Sequence, residues 1–404
     1  MYFLLSWRNL WRNKKRTIIA AASVFFAVLL AVVMRSGQNG SYSYMIDSSA
    51  KLFTGYLQVQ GKGYWENRSL DRSIVLGADR QKKISEIPHV TAVTPRLEAF
   101  SLVAYKTSTR VAQIIGIDPS SEDKMTGLKK HLIKGSYLSQ GPEGVLIAQG
   151  LSELLKIRVG DSLIIYGQGY HGQIAAAQLP VTGIVKLSFP ELNNSTVYLT
   201  LPEARDVFSA YNRITSLAVV VDNIRNLPSV VTDVRKITGK NLTIMTWDEM
   251  LPDLVQSIEL DNAGGIIMLL ILYIVIAFGV FGTVMMMTSE RRKEFGILIS
   301  VGMKKAKLIM VTTMETIFIS LLGVAAGILG SIPVILYLHF NPVHMTGDSA
   351  KAFESIGVEP IMNFSIDPNI LLTQSIVVLI IALATAIYPV LFINRIQPAK
   401  AIHG

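Results

Sequence analysis

Cysteine is absent from this 404-residue chain, which excludes disulfides, thiolate metal sites and cysteine nucleophiles. Charge is scarce too: 17% of residues are Asp, Glu, Lys or Arg, against 50% hydrophobic, a balance foreign to ordinary soluble domains. No GxxxxGK[ST] occurs, so the chain has no P-loop with which to cradle a nucleotide. The glycine-rich GQGYHG, Gly167 to Gly172, lacks the required Lys and Ser/Thr. HExxH and GxSxG are missing as well, and nothing assembles a nucleophile, a base and an oxyanion site. No catalytic, cofactor-binding or metal-ligating set is therefore expected. His339 and His344 lie five apart in a loop, with no fixed helical register to make them converge on a metal.

What the chain does have is long apolar runs. Thr17–Met34, Ala263–Thr288, Leu308–Leu338 and Ile370–Ile393 each reach the roughly 18 residues that a spanning helix needs. Among them only the third holds an acid or a base, Glu315. An acid at membrane depth is a functional suspect, but Glu315 lies two turns inside one end, where it reaches the interface, and it is read as structural. The third run has 31 residues, about 46 Å at 1.5 Å each against a hydrocarbon core of about 30 Å. Tilting, kinking or projection is expected, with Pro333 favouring a kink. Gly323, Gly327 and Gly330 form a small-residue stripe that lets another helix approach closely.

The net charge of +9 is distributed unevenly. Residues 1–16 carry five Lys/Arg and no acid, residues 289–307 carry six against two acids, and residues 394–404 carry two. Together these flanks hold +11 and the rest of the chain −2, so the basicity marks the positive-inside pattern rather than a nucleic-acid surface. The pattern predicts a multi-pass membrane protein. Both termini and the 289–307 loop face the cytoplasm, while residues 35–262 and 339–369 face out. Phe3, Leu4, Trp7, Leu10 and Trp11 recur at helical spacing beside Arg8, Arg12 and Lys14–Arg16, which predicts an interfacial helix over 1–16. No small-x-small cleavage pattern follows Met34, so the first run is read as an uncleaved anchor.

Residues 35–262 number 228, enough for an independent core. β-rich runs are predicted at 56–60, 100–106, 110–117, 145–149, 163–166, 181–187, 196–200, 217–221 and 242–246. Helices are predicted at 78–87, 151–155, 202–209 and 228–238. The fold class is thus four transmembrane helices plus a large extracytoplasmic α+β domain. The Asp118-Pro119 turn and the polar stretch after it suggest an inserted subdomain over about 118–212. Trp247–Asn262 reads as a helix running straight into the second span. The parts in order are the interfacial helix 1–16, spans at 17–34, 263–288, 308–338 and 370–393, the domain 35–262, a short loop 289–307, an outer loop 339–369 and a tail 394–404.

Between the second and third spans stands SERRKEFGILISVGMKK, Ser289 to Lys305. Phe295, Leu298, Ile299 and Gly302 follow i, i+3, i+4, i+7 and would share a helical face, with Ile297 and Val301 off that stripe. A short helix apolar on more than one side needs cover from more than one direction, lipid on one and another protein on the other. Gly296 and Gly302 would allow close approach and a sharp exit. The composition alone also suits a basic interfacial loop.

ERRKEFGILISVGMKKAKLI strongly resembles the segment after the second span in FtsX-like permeases of ABC transporters, the superfamily of MacB-type exporters and LolC/LolE lipoprotein-releasing permeases. The family's recurring Arg, Glu, apolar residue and Gly, with a later Gly, map to Arg292, Glu294, Phe295, Gly296 and Gly302. RNLWRNKKRT, Arg8 to Thr17, resembles its entry helix, and RIQPAKAIHG, Arg395 to Gly404, its tail. GYLQVQGKGYW, IIGIDPSSE and VLIAQGLSELLKIRVGDSLII look closer to LolE-like permeases than to the short outer loop of cell-division FtsX. Ser300 stands where many members carry a base, so the coupling contact at that position is expected to differ from theirs.

The resemblance implies a multi-pass protein of a bacterial cytoplasmic (inner) membrane with a MacB-like periplasmic or extracellular domain, and a permease subunit without enzymatic activity, whose ATP is bound by a separate P-loop subunit dimer. It implies an ATPase-coupling interface of Arg292, Glu294, Phe295, Gly296, Leu298, Ile299, Gly302 and Met303, and mechanotransmission to the outer domain. Implied partners are that ATPase dimer, a second permease, identical or not, the lipid membrane, and lipoprotein or lipid-like cargo released from the outer leaflet. Alternatives within the resemblance are export of peptides, toxins or drugs, or regulation of an extracellular hydrolase.

Overall fold

The computed structural model describes residues 2–12, 14–139, 144–348, 350 and 360–397. The tail motif thus lies outside the described residues from position 398, as do the side chains of Phe3 and Leu4. The chain divides into two compact units, one of residues 1–44, 257–344 and 361–404, the other of residues 45–256 and 345–360.

The first unit is helical. Its elements are α1 (Tyr2–Arg12), α2 (Lys14–Ser49), α3 (Pro252–Glu290), α4 (Arg292–Ser300), α5 (Lys305–Phe340), α6 (Pro368–Thr385) and α7 (Ile387–Arg395). α2, α3, α5 and the α6–α7 pair are long and apolar enough to cross a membrane. The helices outrun the apolar stretches that announce them: α2 continues through RSGQNGSYSYMIDSS to Ser49, a stretch of Ser, Gly and Asn that intrinsic propensity disfavours. α5 continues through Pro333.

The spans meet through small and β-branched side chains. Val24, Ala27, Val28, Ala31 and Val32 of α2 are buried against Ile276, Val280 and Val284 of α3, Val324 and Ile335 of α5, and Val378 and Ala382 of α6. The glycine stripe of α5 faces α2. A Cβ at Gly323 would stand 2.6 Å from Val24 Cβ, one at Gly327 2.7 Å from Val28 Cβ, and one at Gly330 2.6 Å from the Phe25 ring. Close backbone approach of this kind is what small residues permit in lipid, where apolar side chains gain little by leaving the tails. At the other end of these helices Arg35 donates to Gln38 Oε1 at 2.6 Å and Asn262 Oδ1 at 2.9 Å, and the Tyr42 hydroxyl to Asp261 Oδ2 at 2.6 Å. The His339 ring nitrogen pairs with the Phe364 carbonyl at 2.7 Å, and among the described residues no three His, Cys, Asp or Glu side chains gather as a metal set.

The second unit is built on a ten-stranded mixed sheet of β1 (Leu57–Gly61), β2 (Val90–Tyr105), β3 (Ser108–Ile117), β4 (Leu132–Gly135), β5 (Val145–Ala148), β6 (Ser162–Gln168), β7 (Ile174–Val185), β8 (Thr196–Thr200), β9 (Ser216–Val221) and β10 (Leu242–Thr246). The order is β10-β1-β9-β2-β3-β8-β5-β7-β4, with β6 paired to β2 and β7. β3–β8 and β5–β7 are parallel and the other pairs antiparallel. β5, β8 and β9 are buried along their whole length, as strands covered on both faces must be. Residues 118–212, expected as an inserted subdomain, add β4 to β8 to this same sheet. A bidentate ion pair crosses the interior: Arg96 Nε and Nη2 lie 3.0 and 2.5 Å from Glu122, whose helix, Pro119–Thr126, is capped by Asp118.

Two sequence expectations need correction. Val90–Ala99 extends β2 at its start although Pro95 argues against a strand; Pro95 sits opposite Leu217 in the β9 pairing and is tolerated there. Trp247–Asn262 is not one helix. A turn at Trp247–Met250, closed by a Thr246–Glu249 capping box, stops at Leu251 (φ −122°, ψ 59°) before α3 begins at Pro252. Proline disfavours the α conformation in the residue before it, so the break falls where the sequence places the ring.

A candidate docking site on the short helix between two spans

α4 is nine residues long. An isolated helix of that length is marginal, so its neighbours must hold it. Phe295, 1% exposed, inserts among Leu308 of α5, Ile393 of α7 and Ile396, with Ile299, Met303, Ile309 and Phe392 around them. Gly296 is buried beside Phe295.

The second fastening is electrostatic. Arg291, at the N-terminus of α4, is buried and paired with buried Glu315 of α5. Its Nε also lies 3.2 Å from Glu294 Oε2, and its guanidinium sits 5.1 Å over the Phe295 ring. Asn9 of α1 donates to the other Glu315 oxygen at 2.8 Å. α1 is seated further by Ser6, whose hydroxyl reaches the Val311 carbonyl at 3.2 Å, and by Trp7, edge-on to Phe318 at 5.9 Å. One carboxylate thus joins three helices at one point. A buried charge is tolerated only when paired and hydrogen-bonded, and Glu315 is both. A cavity of about 40 Å³ lies beside it, lined by Arg291, Phe295, Thr312 and Glu315 among others. Arg16 and Glu290 meet at 2.8 Å nearby.

With Phe295 and Ile299 turned inward, the face expected to carry Phe295, Leu298, Ile299 and Gly302 together is divided. The residues turned outward are Ile297 at 52%, Leu298 at 38% and Val301 at 83% exposed, flanked by exposed Arg292, Lys293 and Glu294. Two of these, Ile297 and Val301, were placed off the stripe by spacing. Met303 is half-buried against the Phe295 cluster, and Gly302 is exposed with φ +104° and open space where a Cβ would go. That φ belongs to glycine, and it turns the chain toward Lys304 and α5. Arg291 falls on the inward stripe 291, 295, 299 (i, i+4, i+8), but Arg292 fits the same face at i, i+3, i+7, so spacing does not choose between the two adjacent arginines.

The FtsX-like permease C-terminal model matches residues 266–398, and the MacB-like periplasmic core domain model matches residues 17–237. The chain belongs to the FtsX-like, MacB-type permeases. Among curated relatives, this permease is 22% identical to the lipoprotein-releasing system transmembrane protein LolC of Neisseria meningitidis serogroup B, over 81% of each chain. It is 23% identical to the macrolide export ATP-binding/permease protein MacB of Vibrio parahaemolyticus, over 78% of this chain and 49% of that one. A solved structure of the periplasmic region of MacB from Actinobacillus actinomycetemcomitans aligns at 18% identity with a TM-score of 0.37, covering 52% of this permease and 94% of that chain. The four apolar helices and the α+β core domain are those of the fold class read from sequence.

Proposed function

We propose that this permease is the membrane subunit of an ABC transporter, driven by a separate P-loop ATPase dimer that docks on α4, and that it works on lipoprotein or lipid-like cargo from the outer leaflet. The observation that supports the reading is the construction of α4: a helix bolted inward by Phe295 and the Arg291–Glu315 pair while Ile297, Leu298 and Val301 stand exposed beside bases. An exposed apolar cluster with a polar rim is the composition of a protein-binding patch, and a rigid seat converts a push on that patch into movement of α5 and α1. Of the residues expected at the coupling interface, Arg292, Glu294, Leu298 and Gly302 supply contact. Phe295, Gly296, Ile299 and Met303 supply the seat. Each nucleotide state of the ATPase must favour a different arrangement of α4, since a partner binding both arrangements equally moves nothing.

The positive-inside distribution supports cytoplasmic termini and a cytoplasmic α4. A second permease, identical or not, completes the assembly. Lipoprotein cargo is favoured over drug export because the LolC relative corresponds over 81% of its own length, whereas the MacB relative is twice as long as the matched part and is named for ATP-binding as well.

Co-purification tests the docking. Leu298→Asp with Val301→Asp should remove the ATPase from the detergent-solubilised complex while the permease stays folded and membrane-inserted. Undiminished ATPase recovery would reject α4 as its seat. Photo-crosslinking from the core domain to acylated lipoproteins, compared with unacylated ones, tests the cargo.

A further inference from the structure

A groove of about 550 Å³ opens between α4 and α7, lined by Arg292, Tyr388, Leu391, Phe392, Arg395, Ile396 and Gln397. Its charge is one-sided. Glu290 at the end of α3, Glu294 of α4 and Glu315 of α5 are already committed: Glu290 to Arg16, Glu294 to Arg291, and Glu315 to Arg291 and Asn9. Lys305 is occupied as well, donating to the carbonyls of Asn394 and Ile396 at 2.9 Å each. Arg292 and Arg395 are both exposed, and neither has an acidic partner among the described residues. The remaining wall is apolar and aromatic, with Leu391 53% exposed on the last helix of the bundle. The groove therefore offers two guanidiniums at one end of a membrane helix and a greasy flank beside them.

We propose that this groove binds the headgroup of an anionic phospholipid, with its phosphate held by Arg292 and Arg395 and the start of its acyl chains lying along Leu391, Tyr388 and Phe392. Guanidinium presents paired donors that match phosphate oxygens, and basic pockets between spanning helices suit acidic headgroups. The apolar flank selects a lipid over a free phosphate, which has nothing to lay against it. A lipid here would engage Arg292, which also stands among the proposed ATPase contacts on the same helix, while Arg395 and the apolar flank belong to the groove.

The test uses the purified permease without ATPase, delipidated in a neutral detergent and titrated with phosphatidylglycerol or phosphatidylcholine, bound lipid being counted by native mass spectrometry. The wild-type protein should retain phosphatidylglycerol preferentially. Arg395→Gln should lower that retention about fivefold, and Arg292→Gln with Arg395→Gln more. Arg395→Lys should lower it less, and Leu391→Gln should weaken binding with both arginines present. Glycerol 3-phosphate should compete poorly. Equal retention of the two lipids by the wild type, which needs no variant to fold, overturns the proposal. So does unchanged phosphatidylglycerol binding in the double variant, or displacement by glycerol 3-phosphate at lipid-like concentrations, which would make the groove a plain anion site.

Discussion

At the scale of single residues, two buried ion pairs carry contrasting lessons. Arg96 and Glu122 are 3% and 1% exposed inside the sheet unit, and Arg96 also donates to the Phe53 carbonyl. Burial alone would lower the Arg96 pKa; Glu122 beside it reverses that and holds it above its ordinary value. This pair fastens one helix to one strand. Arg291 and Glu315 instead gather α1, α4 and α5. Removing one partner leaves a buried charge unpaired, so Glu315→Ala should destabilise the permease by about 3–5 kcal/mol. The pair Arg291→Leu with Glu315→Leu should recover much of that loss. Thermal unfolding in detergent checks both, and a double variant no better than the single would show that the charges do more than compensate each other. Phe295→Ala should cost about 3–5 kcal/mol, whereas Val301→Ala, at an exposed position, should fall within about 0.5 kcal/mol of wild type. A similar loss at both sites would contradict the inward and outward assignment of α4.

At the scale of elements, apolar periodicity located α4 but could not orient it. A helix of nine residues with four apolar ones spread over 295 and 297–299 has no single hydrophobic face, and Phe295 turns inward only because Leu308 of α5, Ile393 of α7 and Ile396 just past it converge around it. The same limit hid β4, a short edge strand with exposed side chains, and the first half of β2, where Pro95 breaks the expected pattern. The glycine stripe of α5 lies against α2 so closely that a Cβ at any of the three positions would meet a side chain within 2.7 Å. Gly327→Leu should force α2 and α5 apart, costing about 1–3 kcal/mol by overpacking, while the same change at Gly282 of α3, with open space around it, should be tolerated. Equal thermal shifts for the two would remove the stripe from the packing account.

At the scale of the molecule, the sequence holds no GxxxxGK[ST], and on the proposed function the purified permease should release no phosphate from ATP until a P-loop subunit is added. Hydrolysis by the permease alone would undo the division of labour. The number of spans, the α+β character of the core domain and the position of the short helix followed from the sequence itself. Each rests on a local quantity, whether the length of an apolar run, the alternation along a strand or the helical spacing of a short segment, and none of these needs to know its neighbours. The tertiary structure alone decided which arginine of the adjacent pair is buried, which apolar residues of α4 are left exposed, and that residues 118–212 share one sheet with the rest. Those outcomes depend on what arrives from distant parts of the chain, such as Asn9 reaching Glu315 across 306 positions. Burial is a property of the assembled neighbourhood, and no window along the sequence contains it.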